Sequence, residues 1–274
     1  SGAVFVVFLS AVWYNQNKNG SDIMIQDLHS HTYYSFCGAD SPEAVVEAAV
    51  AGGIELIGIT DHNYGVGDQR TDVYLSQVPE IKNDYERTLK RYYDHINLVK
   101  EKYESKYKGK IKVLRGIEIG TVKQNRVPLP DSADISFFDY CLIEHVDHRD
   151  NSSTGGDLFS FAKRCGCPAG VAHTDMFSFI EAIGEDPLSY FSKMAEENIF
   201  WEMNVNLDTI HAGRVHGYML RFFEDEKQQE IIRKSGVRLS VGFDGHRLYD
   251  YKPDRVADYC KKITEMGIKL AFEE

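Results

Sequence analysis

Seven short apolar runs punctuate this chain, at 23–29, 55–61, 112–118, 138–145, 169–173, 200–206 and 238–244, with helical patterns or long crossovers between them. Strands joined by long crossovers run parallel, because a tight hairpin can join only antiparallel neighbours. A parallel sheet needs both faces covered, and this many units predict a closed or nearly closed α/β barrel rather than an open sheet. Helix signals agree. Ser41-Pro42-Glu43 opens a helix at 42–51, with serine as cap and proline at the first helical position. Over 83–107, Tyr85, Leu89, Tyr92, Ile96, Val99 and Tyr103 recur at three- and four-residue spacings, one face of a long helix that Gly109 ends. Further helices are expected at 156–164, 187–197, 218–235 and 255–266, and loops over one end of the barrel at 63–81 and 120–136.

The strand ends carry a second pattern. The first run finishes on His29 and His31, the second on Asp61-His62, the third on Glu118, the fourth on His145, the fifth on His173 and the seventh on Asp244-Gly-His246. Alternate residues of an extended segment project to one side, so the imidazoles of His29 and His31 can reach a single point. In barrels of alternating strands and helices the C-terminal strand ends converge on the functional face. Asp61-His62 alone could be a turn pair, Glu118 a surface carboxylate and His173 a satisfied core histidine; their shared register is what points to a site. Imidazole with carboxylate suits zinc, manganese or iron, and so many donors exceed the needs of one tetrahedral ion.

Composition limits the partners. With 42 acidic against 31 basic residues the formal charge is -11, which disfavours extended nucleic acid, whereas a small anion is admissible where bound cations reverse the local field. Five cysteines, at 37, 141, 165, 167 and 260, form no framework and point to reduced thiols and a cytoplasmic setting. Cys165-Gly-Cys167 has the wrong spacing for a redox or zinc motif and reads as a loop or helix end. The apolar stretch Ala3 to Trp13 is too short to span a bilayer, and no basic residue precedes it. Ser1-Gly2 has the look of a protease scar and Met24 stands just before the first strand. Residues 1–23 are therefore read as an extension partly foreign to the natural chain, and 24–274 as one domain.

The runs Asp27-Leu-His-Ser-His-Thr, Ser41-Pro-Glu-Ala-Val-Val-Glu-Ala-Ala and Gly58-Ile-Thr-Asp-His-Asn63 resemble the polymerase and histidinol phosphatase (PHP) superfamily of metal-dependent phosphoesterases. Gly116-Ile-Glu118, Phe138-Phe-Asp-Tyr, Ala172-His173, Trp201-Glu-Met-Asn204 and Gly242-Phe-Asp-Gly-His246 follow in that family's order. The resemblance implies a distorted (β/α)7 barrel, TIM-like, with three divalent ions, zinc, manganese or iron, at its C-terminal rim. Carried over by position, it implies His29, His31, Glu118 and Asp244 on a first ion. Glu118 would bridge to a second ion on His145 and His173, and His62 and His246 would hold a third. His148 could replace His145. Where many members carry Asp or His five or six residues after the second histidine, this chain has Phe36 and Cys37; either Cys37 ligates as a thiolate, or Asp40 substitutes, or the third site is weak.

The expected activity is hydrolysis of a small phosphomonoester, histidinol-phosphate-like or a nucleotide, by metal-activated hydroxide. Asp61, Asp244 or a nearby histidine would handle the leaving-group proton, Arg149, Arg214 and Arg247 the phosphate. His211 and His216, in the loop 206–217, lie near enough to meet substrate. Two alternatives stand beside this reading: a phosphodiesterase or exonuclease on nucleotides or nucleic-acid ends, and a metal-binding module without turnover.

Overall fold

All seven strands pair in parallel, in the order in which the chain makes them: β1 (Gln26–Asp27), β2 (Leu56–Ile59), β3 (Lys112–Ile119), β4 (Tyr140–Ile143), β5 (Ala169–Val171), β6 (Ile199–Asn204) and β7 (Leu239–Gly242). This computed structural model describes residues 23–63, 85–122, 129–131 and 133–273. Residues 1–22 of the N-terminal extension, 64–81 of the first expected rim loop and 123–128 and 132 of the second lie outside the described residues. Beyond the ladders the ring is drawn together between its first and last strands. Leu28 N donates to Val241 O at 2.9 Å, His31 N to Gly245 O at 2.8 Å, and Ser30 bridges Gly245 in parallel. The result is the nearly closed barrel expected from the alternation of elements, with the distorted seven-stranded form that the resemblance implied.

Helices cover the outside: α1 (Pro42–Ala51), α2 (Tyr85–Tyr107), α3 (Leu158–Cys165), α4 (Met176–Ile183), α5 (Pro187–Glu196), α6 (Gly217–Glu224), α7 (Glu226–Ser235) and α8 (Pro253–Glu265). Ser41 caps α1 by accepting from Ala44 N, as its sequence signal requires. Leu89, Tyr92, Ile96, Val99 and Tyr103 form the buried face of α2. The expected helix over 218–235 is two helices, because Asp225 breaks away to cap α7 through Lys227 N and Gln228 N. Helix α4 was not anticipated, although Asp175 caps it and Gly184 ends it in the left-handed conformation. Cys165 ends α3, and Gly166 follows at φ 72°, so Cys165-Gly-Cys167 is a helix end.

Two layers of apolar packing hold the barrel. Sheet and helices share the larger core, while Leu28, Leu56, Tyr140, Leu142, Ala172 and Phe200 form a separate cluster. Within that cluster the buried Tyr140 hydroxyl donates to Leu28 O at 2.6 Å, tying β4 to the segment that carries His29 and His31. That bond connects the packing to the position of the first histidine pair. No described helix is long and apolar enough to cross a membrane.

Candidate metal centre

His29 and His31 leave β1 on the same side, and their Nε2 atoms come to rest 3.1 Å apart. Hydrogen bonds behind the rings decide which nitrogen is free. His29 Nδ1 donates to Glu202 Oε1 at 2.7 Å. Ser35 Oγ gives its proton to Asp61 Oδ1 at 2.7 Å, which leaves it to accept from His31 Nδ1 at 3.3 Å. Both Nδ1 atoms therefore carry hydrogen, and both Nε2 atoms face one point. Nitrogens at that distance share either a proton, as the metal-free protein does between His29 and His31, or a metal cation.

Carboxylates complete the point. Glu118 Oε1 lies 3.3 Å from His29 Nε2 and Glu118 Oε2 3.4 Å from His31 Nε2, while Asp244 Oδ1 is 3.0 Å from His31 Nε2 and 3.5 Å from His29 Nε2. A cation ~2.1 Å from each donor would separate neighbouring donors by ~3.0–3.4 Å, so these four residues have the spacing of a coordination shell. All four are buried. Among the described residues, the ion-pair partners of Glu118, Glu144 and Asp244 are all histidines, and Asn204 Nδ2 also donates to Asp244 Oδ2 at 3.4 Å. Buried carboxylates without lysine or arginine partners fit metal ions, so the donor set passes the chemical test for them.

A second group adjoins the first through Glu118. His173 Nε2 lies 3.1 Å from Glu118 Oε1, and His62 Nδ1 2.9 Å from Glu118 Oε2. Glu144 enters here, a residue the sequence reading passed over: its Oε2 is 3.1 Å from His145 Nε2 and 3.8 Å from His173 Nε2. His62, Glu118 and Glu144 offer ligand atoms within 4.8 Å of one another. His62 thus faces Glu118 and Glu144, while its ring stacks on His31 at 4.6 Å between centroids; the resemblance implied it beside His246 on a third ion. His145, His173 and Asp244 all have positive φ, at 58°, 27° and 54°. Such backbone is costly for residues other than glycine, and its concentration at three donor positions marks a site that the surrounding structure holds in place.

On the other side of His31, its ring stacks on His246 with centroids 4.6 Å apart, and His31, Cys37 and His246 form a third group of ligand atoms within 4.8 Å. Asp208, also absent from the sequence reading, orients this side. Its Oδ2 takes His246 Nδ1 at 3.0 Å and its Oδ1 takes His211 Nδ1 at 2.9 Å. Asp40, considered as a replacement ligand, joins none of these groups; its Oδ2 accepts from Leu248 N at 2.8 Å as a loop tie. Asp61 is likewise occupied, receiving Thr32 N, Thr32 Oγ1 and Ser35 Oγ at 2.7 Å each, which leaves it as the organiser of the 30–35 turn.

The charges are tightly matched. Burial works against protonated rings at His29 and His62, but the surrounding carboxylates outweigh it and hold both well above the ordinary histidine range. The same balance raises His173 to about 9 and His246 to about 10, whereas at His31 burial prevails and pushes the ring down to about 3. Glu118 and Asp244 are held well below the usual carboxylate range by their histidines, against the effect of burial. At Cys37, His246 and His62 outweigh burial and lower the thiol.

Around the rim, Arg149, Arg214 and Arg247 are exposed. Arg214 Nε donates to His211 O at 3.4 Å and Arg247 Nη1 to Tyr249 Oη at 2.7 Å. His216 stacks on His173 with centroids 5.9 Å apart. His148 is exposed beside His145, at 4.9 Å between ring centroids.

A family model described as PHP domain matches residues 27–272. Among solved structures, the chain is similar to histidinol phosphate phosphatase (HISK) from Lactococcus lactis subsp. lactis Il1403, a structure complexed with zinc, L-histidinol and phosphate. The identity is 18% and the TM-score 0.49, over 90% of this chain and 95% of that one. It is also similar to a Listeria monocytogenes chain whose histidinol phosphatase (hisK) designation is provisional, at 14% identity and TM-score 0.44, over 82% and 96% of the two chains. No curated protein sequence matches.

Proposed function

The chain belongs to the PHP domain family, and on that footing we propose that it is a metal-dependent phosphatase acting on small phosphomonoesters. The observation that carries this reading is the convergence of His29 Nε2, His31 Nε2, Glu118 and Asp244 at separations of 3.0–3.5 Å, with no ammonium or guanidinium among their described partners. In this proposal these four residues hold one divalent ion, and Glu118 shares a second with Glu144, His173 and His145. Bound ions supply Lewis-acid polarisation of phosphoryl oxygens and lower the pKa of water. The chain's own contribution is to hold rings and carboxylates in place beforehand, through Glu202 behind His29, Ser35 behind His31 and Asp208 behind His246.

His211 is assigned the leaving-group proton. Asp208 fixes its Nδ1, its own Nε2 is left for substrate, and its ring centroid lies 5.1 Å from that of His246. Asp61 is set aside for this role because its oxygens are occupied. Arg214 and Arg247 are assigned to the phosphate on the ground of their positions in the loops after β6 and β7.

The test is hydrolysis of a phosphomonoester panel by protein stripped and then reloaded with zinc, manganese or iron, set beside His31→Ala and Glu118→Ala. L-Histidinol phosphate heads the panel because Trp201-Glu-Met-Asn204 and Gly242-Phe-Asp-Gly-His246 resemble the corresponding stretches of histidinol phosphatases. Monoester turnover that needs metal and disappears in both variants supports the proposal. Faster cleavage of bis(p-nitrophenyl) phosphate than of p-nitrophenyl phosphate would reassign the enzyme as a diesterase. Metal bound without turnover of any ester would leave a binding module.

A further inference from the structure

The segment between Thr32 and Asp40 is folded back so tightly that a Cβ at Gly38 would stand 2.0 Å from the Thr32 carbonyl oxygen. Only glycine fits there. The fold-back is stapled at both ends. Tyr33 N donates to Asp40 O at 2.8 Å, and across to the loop after β7, Ala39 N donates to His246 O at 3.0 Å and Leu248 N to Asp40 Oδ2 at 2.8 Å. This framework delivers Cys37 to the edge of the histidine cluster. Its sulfur joins ring nitrogens of His31 and His246 in a ligand-sized triangle, every pair within 4.8 Å. His246 is itself committed by its back side, since Asp208 takes Nδ1 at 3.0 Å and leaves Nε2 for the cluster. Phe36 stacks on His62 at 5.7 Å between centroids, covering the neighbouring ring.

Resting on the phosphatase reading above, we propose that Cys37 supplies a thiolate ligand to a further cation position built with His246 against His31 and His62. An oxygen or nitrogen ligand would be expected there from the family resemblance. Sulfur changes which metal that position accepts: thiolate favours zinc, ferrous iron and cobalt, and disfavours manganese and magnesium. The sulfur-free group of His29, His31, Glu118 and Asp244 has no such bias against manganese. The two regions of one centre therefore differ in metal preference, and loading with manganese alone leaves the Cys37 position the emptier.

The test is spectroscopic. Stripped full-length protein is titrated with cobalt(II), and the near-ultraviolet sulfur-to-cobalt charge-transfer absorption is read together with the visible ligand-field bands. The wild type should show both, and Cys37→Ser should lose the charge-transfer absorption along with about one ion per chain. Cys37→Asp should recover the ion without the sulfur band and accept manganese there. If the serine variant fails to fold, alkylation of wild-type Cys37 by iodoacetamide, followed by mass spectrometry, gives a second readout; zinc should slow it at least tenfold. Ligand-field bands without charge transfer, or alkylation of Cys37 indifferent to zinc, would overturn the thiolate assignment while leaving the phosphatase reading intact. A wild type that binds neither cobalt nor zinc would overturn both.

Discussion

Glu202 Oε1 lies 2.7 Å from His29 Nδ1, a contact between residues 173 positions apart and both buried. Through it, β6 decides which nitrogen of a β1 histidine faces the donor cluster. The other Glu202 oxygen accepts from His173 N at 2.8 Å, so one carboxylate positions two histidines. Glu202→Gln keeps the shape but removes the charge that holds the His29 proton on Nδ1. Metal affinity should fall by about 10–100-fold with little loss of fold, as measured by chelator competition and circular dichroism. An unchanged affinity would reduce this contact to packing.

Gly242 makes room for that contact. A Cβ there would meet Glu202 Oε1 at 2.1 Å and His29 Cβ at 2.6 Å, both on buried side chains. Gly242→Ala should destabilise the protein by about 1–3 kcal/mol in denaturant titrations and weaken metal binding more than Glu202→Gln does.

Glu144 is expected to matter as much as the histidines beside it. Glu144→Gln leaves a neutral group among His62, His145 and His173. Elemental analysis should show the loss of about one ion per chain, while the ion assigned to His29, His31 and Asp244 persists. Retention of every ion would remove Glu144 from the ligand set.

The protonated histidines of the metal-free protein give its stability a definite pH dependence. His173 and His246 are raised to about 9 and about 10, above the ordinary value near 6.5. Their stabilisation is full below about pH 6.5 and is lost as pH rises through the two raised values. Metal ions displace the same protons, so their affinity strengthens over that window. In melting experiments the chelated protein should lose Tm from about pH 7 to 10 while the difference between zinc-loaded and chelated protein grows. Parallel curves would mean that these rings do not exchange protons for metal.

Much of the site was legible because strand geometry is simple. His29 and His31 share a face by the two-residue period, and Glu118, His173 and Asp244 fall at the ends of runs whose boundaries composition marks. Glu144 was hidden because alternation places it opposite His145; the left-handed backbone at His145, φ 58°, removes that alternation. Asp208 was hidden in a loop with no periodicity to assign it a direction. Helix α4 was hidden by its length of eight residues, six of them apolar, which alone reads equally as strand.

Parallel strands alternating with helices, and histidines and carboxylates at the strand ends, can be read along the chain alone, since period, caps and glycine stops are local properties. Which nitrogen each ring presents, which carboxylate stands behind it and that Cys37 rather than Asp40 meets the cluster emerge when the chain is folded. Those outcomes depend on hydrogen bonds between distant segments, Glu202 to His29, Asp208 to His246 and Asp40 to Leu248, and no local propensity encodes them.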